Sequence, residues 1–227
     1  MSAMAVSWIK AALCAAFLLC WNIPTAVADE AAERQLIVSA INGNIDGVRQ
    51  ALKNGASINV RDNRGRTALL IATHANNVEM ARLLIGAGAD VNAKDHIEDS
   101  PYLYAGAEGR NEILRMTLEA GANLRSTNRY GGTALIPAAH HGHVETVAIL
   151  LRTAVDKDHV NKLGWTALLE AVVLGDGGPT YARIVQMLVK AGANPNIADR
   201  EGITPLAHAR TRNLTEIARI LEAAGAR

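Results

Sequence analysis

The densest cluster of chemically capable side chains is His140-His141-Gly142-His143. Neutral imidazole binds transition metals and haem iron alike, so His140, His141 and His143 form a candidate ligand set. Their spacing argues against chelation. Adjacent residues at a helix end point about 100° apart, which hinders His140 and His141 from gripping one ion. Beyond this cluster the sequence holds no H-E-x-x-H, no phosphate-cradling glycine loop and no G-x-S-x-G nucleophile turn. Its two cysteines, Cys14 and Cys20, fall in an N-terminal segment that reads as an export signal. The mature chain is then left without a thiol nucleophile, a disulfide or a cysteine metal site. Acidic residues sit mainly where loops and helix exteriors are expected, and carboxylates there are usually solvated. The expectation is a chain that is not an enzyme and has no resident cofactor.

These histidines belong to a recurring frame. The phrase T-A-L-L-I-A begins at Thr67, S-P-Y-L-Y-A at Ser100, T-A-L-I-P-A at Thr133, T-A-L-L-E-A at Thr166 and T-P-L-A-H-A at Thr204. The steps 100−67, 133−100 and 166−133 are each 33 residues, and 204−166 is 38, so one copy carries five extra. A second phrase trails each copy, as in Gly55-Ala56-Ser57-Ile58-Asn59 and Gly88-Ala89-Asp90-Val91-Asn92. A fixed period of this length marks a stacked array in which no copy buries its apolar face alone. Each copy reads as helix, tight turn, second helix and hairpin-like loop. In the second, Thr67 is placed to cap the first helix and Asn76-Asn77 to turn the chain. Val78, Ala81, Leu83, Leu84 and Ile85 give the second helix its apolar positions, and Gly88 ends it in the left-handed conformation. The copies run about 33–65, 66–98, 99–131, 132–164, 165–202 and 203–227. The first opens on Arg34-Gln35-Leu36 in place of the usual phrase and the last is charge-rich, so both read as caps. The fourth lacks its helix-ending glycine, having Thr153-Ala154 there. The fifth carries the insertion, near Asp176–Thr180, with Pro179 leading into its second helix.

The period and the T-P-L-H-x-A phrase resemble the ankyrin repeat, over nearly everything after residue 32. The resemblance implies an all-α ankyrin-repeat solenoid of six helix-turn-helix repeats that binds a protein partner on its concave side, through loop tips and the ends of first helices. Carried onto this sequence, the face centres on Tyr130, His140, His141, Lys162, Leu163, Trp165 and Leu174. Tryptophan and tyrosine are favoured interface anchors, and basic residues rim the group. Tyr104 is expected to face the groove. Tyr102, at a core leucine position, is expected to be buried. His143 takes a turn position that the family uses structurally. Some exported bacterial ankyrin proteins that the chain resembles are associated with catalase and peroxide defence. A haem- or metal-binding accessory role is therefore the alternative function, resting on the three histidines.

Composition and charge narrow the partners. The chain has 227 residues, 4% of them aromatic, and a formal net charge of +1. Nothing in that balance draws nucleic acid or an anionic membrane. Residues 1–28 read as a signal peptide: Lys10 is the lone charge, Ala11–Trp21 is unbroken apolar sequence, and Ala26-Val27-Ala28 suits cleavage before Asp29. The apolar run is short of the roughly 20 residues that span a bilayer. Cys20 follows Leu18-Leu19, which leaves lipidation open. The expectation is a periplasmic or secreted monomer of a bacterium, residues 29–227, free of the membrane after cleavage.

Overall fold

The computed structural model describes the backbone of residues 25–227 and the side chains from Glu30 onward. The expected export segment up to residue 24, with Cys14 and Cys20, lies outside the described residues. Twelve helices follow in six antiparallel pairs: α1 (Thr25–Ile41) with α2 (Ile45–Lys53), α3 (Ala68–His74) with α4 (Val78–Gly86), α5 (Pro101–Ala107) with α6 (Asn111–Glu119), α7 (Leu135–His140) with α8 (Val144–Leu150), α9 (Ala167–Val173) with α10 (Pro179–Lys190), and α11 (Pro205–Thr211) with α12 (Thr215–Ala223). First helices stack on first helices and second on second, giving the two-layer solenoid. None of the described helices is long and apolar enough to cross a membrane.

The recurring Thr or Ser starts each first helix. The hydroxyls of Thr67, Ser100, Thr166 and Thr204 accept the amide three residues on, at 3.2–3.3 Å. Thr133 is the exception. Pro137 has no N–H to return to the Thr133 carbonyl, so Ile136 N–H takes that carbonyl at 3.1 Å and α7 begins late, at Leu135. The Thr133 hydroxyl is left buried without a partner. Asn44 and Asn77 cap α2 and α4 through their side chains.

Glycine decides where second helices stop. Gly55, Gly88, Gly121, Gly192 and Gly225 all lie at positive φ just past the helix end. The fourth copy has no such residue, and α8 is correspondingly short. There the Thr153 hydroxyl closes the helix by donating to the Leu150 carbonyl at 2.6 Å.

The core is a column of small and medium side chains: Leu36, Val48, Leu69, Leu84, Ile113, Leu135, Leu150, Leu168 and Leu188 are fully buried. Tyr102 is buried as expected. Its hydroxyl finds no partner, and burial pushes it up to about 12.

Three expectations change in detail. The first copy reaches ahead of Glu33, since Ala32 on α1 is core together with Leu36. In α4, Met80 takes a core position, whereas Leu83 and Ile85 are only partly covered. The insertion is not a free loop between helices. Pro179 sits in the first turn of α10, which absorbs Thr180 and Tyr181 and runs 12 residues. Tyr181 donates to the His140 carbonyl at 2.8 Å, and Arg212 donates to the carbonyls of Val172 and Gly175. Deleting Asp176–Thr180 is therefore expected to leave the helical circular dichroism signal intact. It also disturbs the carbonyls that Arg212 holds, which costs about 1–3 kcal/mol in denaturant unfolding. Loss of the helical signal would show that the insertion is required for folding.

Candidate functional site

One polar side chain builds each loop tip. Asp62, Asp95, Asn128, Asn161 and Asp199 each accept the amides two and four residues on, at 2.8–3.1 Å. Their own amides return to the carbonyl four residues on. This doubly closed turn replaces a strand ladder: among the described residues the one bridge is Arg61 to Thr67. Neighbouring tips are laced together, as where Lys162 N–H meets the Tyr130 carbonyl at 2.9 Å.

The turn pushes its third residue outward. That position holds Arg64, Ile97, Tyr130, Leu163 and Glu201 in successive copies. Ile97, Tyr130 and Leu163 are 53%, 52% and 51% exposed. Three consecutive copies thus present a ridge of large apolar tips flanked by charge.

Behind the ridge, between the loops and the first helices of the third to fifth copies, lies a cavity of about 430 Å³. Tyr130, His140, His141, Leu163 and Leu174 all line it, so five of the expected site residues converge. Lys162 and Trp165 fall outside the lining. Lys162 folds across the loops to donate to the Arg129 carbonyl at 3.0 Å. Trp165 holds the fifth position of its turn, where the Asn161 carboxamide draws the chain back toward α9, and it is partly buried. Tyr104 faces the cavity as expected.

Asp99, Glu108, Asn128, Arg129, Asn161 and Glu170 add polar lining; Asp99 and Glu108 are at the variable loop and helix-end positions of the expected face, whereas Asn161 and Glu170 are not. Glu170 had a signal. The column Ile71, Tyr104, Pro137, Glu170, His208 is one groove-facing first-helix position, and an acid there is conspicuous. Glu170 is 5% exposed. Burial raises its carboxyl above the usual range, while a 3.0 Å hydrogen bond from Asn161 opposes the rise. The same two positions, nine residues apart, hold Asp199 and His208 in the next copy, paired at 2.6 Å. Asp99 is likewise raised by burial and opposed by Arg129 at 3.5 Å.

Two of the three histidines have partners within the chain. His140 Nδ1 lies 3.3 Å from Glu170, and His141 Nδ1 lies 2.8 Å from the Ala107 carbonyl. Burial, then the nearby His141, lower both His140 and His143. The rings of His140 and His141 sit 4.8 Å apart and tilted 47°. Those of His141 and His143 sit 5.8 Å apart and nearly perpendicular. Among the described residues no three His, Cys, Asp or Glu side chains are grouped to hold a metal ion. The ring separations and tilts do not gather these nitrogens into one chelating set for a metal ion.

Comparison with known proteins agrees with this architecture. The family model described as ankyrin repeats (three copies) matches residues 4–95 and 102–199. The ankyrin repeat protein YahD of Escherichia coli (strain K12) is 53% identical over 57 residues, which is 25% of this chain and 28% of that protein. Among solved structures, an ankyrin repeat domain from Acinetobacter baumannii AYE is 60% identical with a TM-score of 0.83, covering 85% of this chain and 98% of its own. The ankyrin repeat protein EF0377 is 42% identical with a TM-score of 0.81, over 84% of this chain and 97% of its own. The ankyrin repeat domain of Bcl-3, of the IkappaB family, is 29% identical with a TM-score of 0.76, over 85% and 86%.

Proposed function

This chain belongs to the ankyrin repeat family, whose domains generally mediate protein–protein interaction, and from that membership we propose that it is a monomeric, non-enzymatic scaffold holding a protein partner outside the cytoplasm. The partner rests on the ridge of Ile97, Tyr130 and Leu163 and on the cavity behind it. The observation that carries this reading is the run of three half-exposed apolar tips in consecutive copies, beside a concave pocket. Scattered apolar surface is ordinary; an aligned set rimmed by charge is how an interface centre is built. Affinity capture from a periplasmic extract, read by mass spectrometry, tests it. Tyr130→Ala is expected to weaken capture roughly tenfold, as loss of an aromatic anchor does, with the melting temperature nearly unchanged. Arg64→Ala, on a tip beyond the ridge, serves as control. Equal capture by both variants would overturn the reading.

Export is the second part of the proposal. The apolar run Ala11–Trp21 followed by Ala26-Val27-Ala28 supports it. Cleavage there spares the core residues Ala32, Leu36 and Ala40 of α1. N-terminal sequencing of the exported protein is expected to return Asp29. A sequence beginning at Met1 would contradict it.

A further inference from the structure

We propose that the cavity behind the ridge takes a basic side chain, arginine or lysine, carried by an extended segment of the partner protein. This rests on the ridge and cavity being the partner-binding face, and it names what the partner must present.

Charge comes first. The lining holds three carboxylates, Asp99, Glu108 and Glu170, against one guanidinium, Arg129. Arg129 is already engaged: it lies 3.5 Å from Asp99 and over the Tyr130 ring, 4.9 Å from its centre. Acidic groups thus outnumber basic ones in the lining, and burial, which raises Asp99 and Glu170, is the cost that a cation brought into the cavity would offset. Glu170 is the sharpest case. One of its oxygens accepts from Asn161, and the other faces His140 Nδ1 at 3.3 Å. Among the described residues no lysine or arginine pairs with it. Burial, then the nearby His141, lower His140, which works against its carrying the counter-charge. A buried carboxylate without a full partner is costly, and an arriving cation removes that cost at the moment of binding.

Shape and chemistry agree. Tyr104 and Tyr130 both line the cavity, and tyrosine faces attract cations that lie over them. Arg129 over Tyr130 shows the geometry within the chain itself. A volume of about 430 Å³ accepts one long side chain with water. The ridge alongside offers apolar contacts to the residues that flank it. An acidic segment meets further carboxylates here, and a wholly apolar one leaves Glu170 buried with no lysine or arginine beside it.

The test is selection of random short peptides displayed on phage against the full mature chain, followed by titration of the selected peptides into variants. Peptides that Tyr130→Ala no longer binds are the groove binders. They are expected to share one arginine or lysine beside apolar residues. Glu170→Gln keeps the acceptor for Asn161 and removes a buried charge, so it is expected to unfold at a midpoint no lower than the wild type, and Glu108→Gln, at a partly exposed residue, at an unchanged one. Each is expected to weaken the basic peptides about tenfold, and added salt is expected to weaken them further. Groove binders without a common basic residue, or unaffected by either glutamine variant, overturn this inference and leave the scaffold reading standing. If no selected peptide depends on Tyr130, both readings fall.

Discussion

Leu150→Ala is expected to lower the unfolding free energy by about 2–5 kcal/mol, the range for a fully buried leucine cut to alanine. Leu150 is the last residue of α8 and is fully buried. Its helix stacks between α6 and α10 and against α7, so the cavity left behind is walled on several sides and has little freedom to collapse. The site is also where the repeat is least regular. No left-handed glycine ends α8, and the Leu150 carbonyl itself receives both the Thr153 amide at 3.0 Å and the Thr153 hydroxyl at 2.6 Å. A void beside that closure loosens packing and helix end together. In a stacked array each copy is stabilised by its neighbours, so damage in the fourth copy weakens the link between the two halves. Urea unfolding with circular dichroism checks this. A lower midpoint at unchanged slope means a uniform loss, and a shallower slope means the halves have begun to unfold separately. An unchanged midpoint would show that Leu150 is not a core residue.

Much of this fold is readable because the repeat states each local rule several times over. The hydroxyl at Thr67, Ser100, Thr166 and Thr204 caps a helix wherever it occurs, and glycines such as Gly88 end one. Departures follow the same rules: Thr153 stands in for a glycine, and Pro137 displaces a cap. The site is less legible. Loop-tip positions announce themselves through their variability between copies, so the exposure of Tyr130 and Leu163 at the tips is readable. Trp165 is harder to place from sequence, because the backbone of its turn is closed around Asn161 and the ring ends partly buried, outside the cavity lining. Glu170 escapes for a different reason. It sits in a helix whose neighbours are all apolar, and its significance appears only when the loop nine residues earlier is folded back against it.

Asn161→Ala is expected to cost about 2–4 kcal/mol, because one 6% exposed side chain holds three groups together. Its oxygen accepts the amides of Leu163 and Trp165 at 2.9 and 3.0 Å, and its nitrogen donates to Glu170 at 3.0 Å. Alanine leaves two loop amides and a buried carboxyl without their partner. Asn161→Asp separates the two roles. Aspartate closes this turn at positions 62, 95 and 199, so the loop bonds survive. The donor to Glu170 is lost, and a second carboxylate faces the first. Two carboxylates so placed cannot both ionise cheaply, and Glu170 is already raised by its burial. The sign follows from linkage. A carboxyl raised in the folded state keeps a proton that the unfolded chain releases, so its contribution is intact below the ordinary carboxylate range and is lost as pH rises through the raised value. Asn161→Asp is therefore expected to fall about 1–3 kcal/mol below the wild type at neutral pH and to recover most of that gap as pH drops toward 4. The double variant Asn161→Asp with Glu170→His copies the pair that Asp199 and His208 form at 2.6 Å in the next copy. It is expected to regain stability at neutral pH, where either single change alone does not. Denaturant midpoints of the four proteins across pH decide the matter. A gap between Asn161→Asp and the wild type that does not narrow on acidification would mean that Asn161 serves the loop alone and leaves Glu170 unsupported.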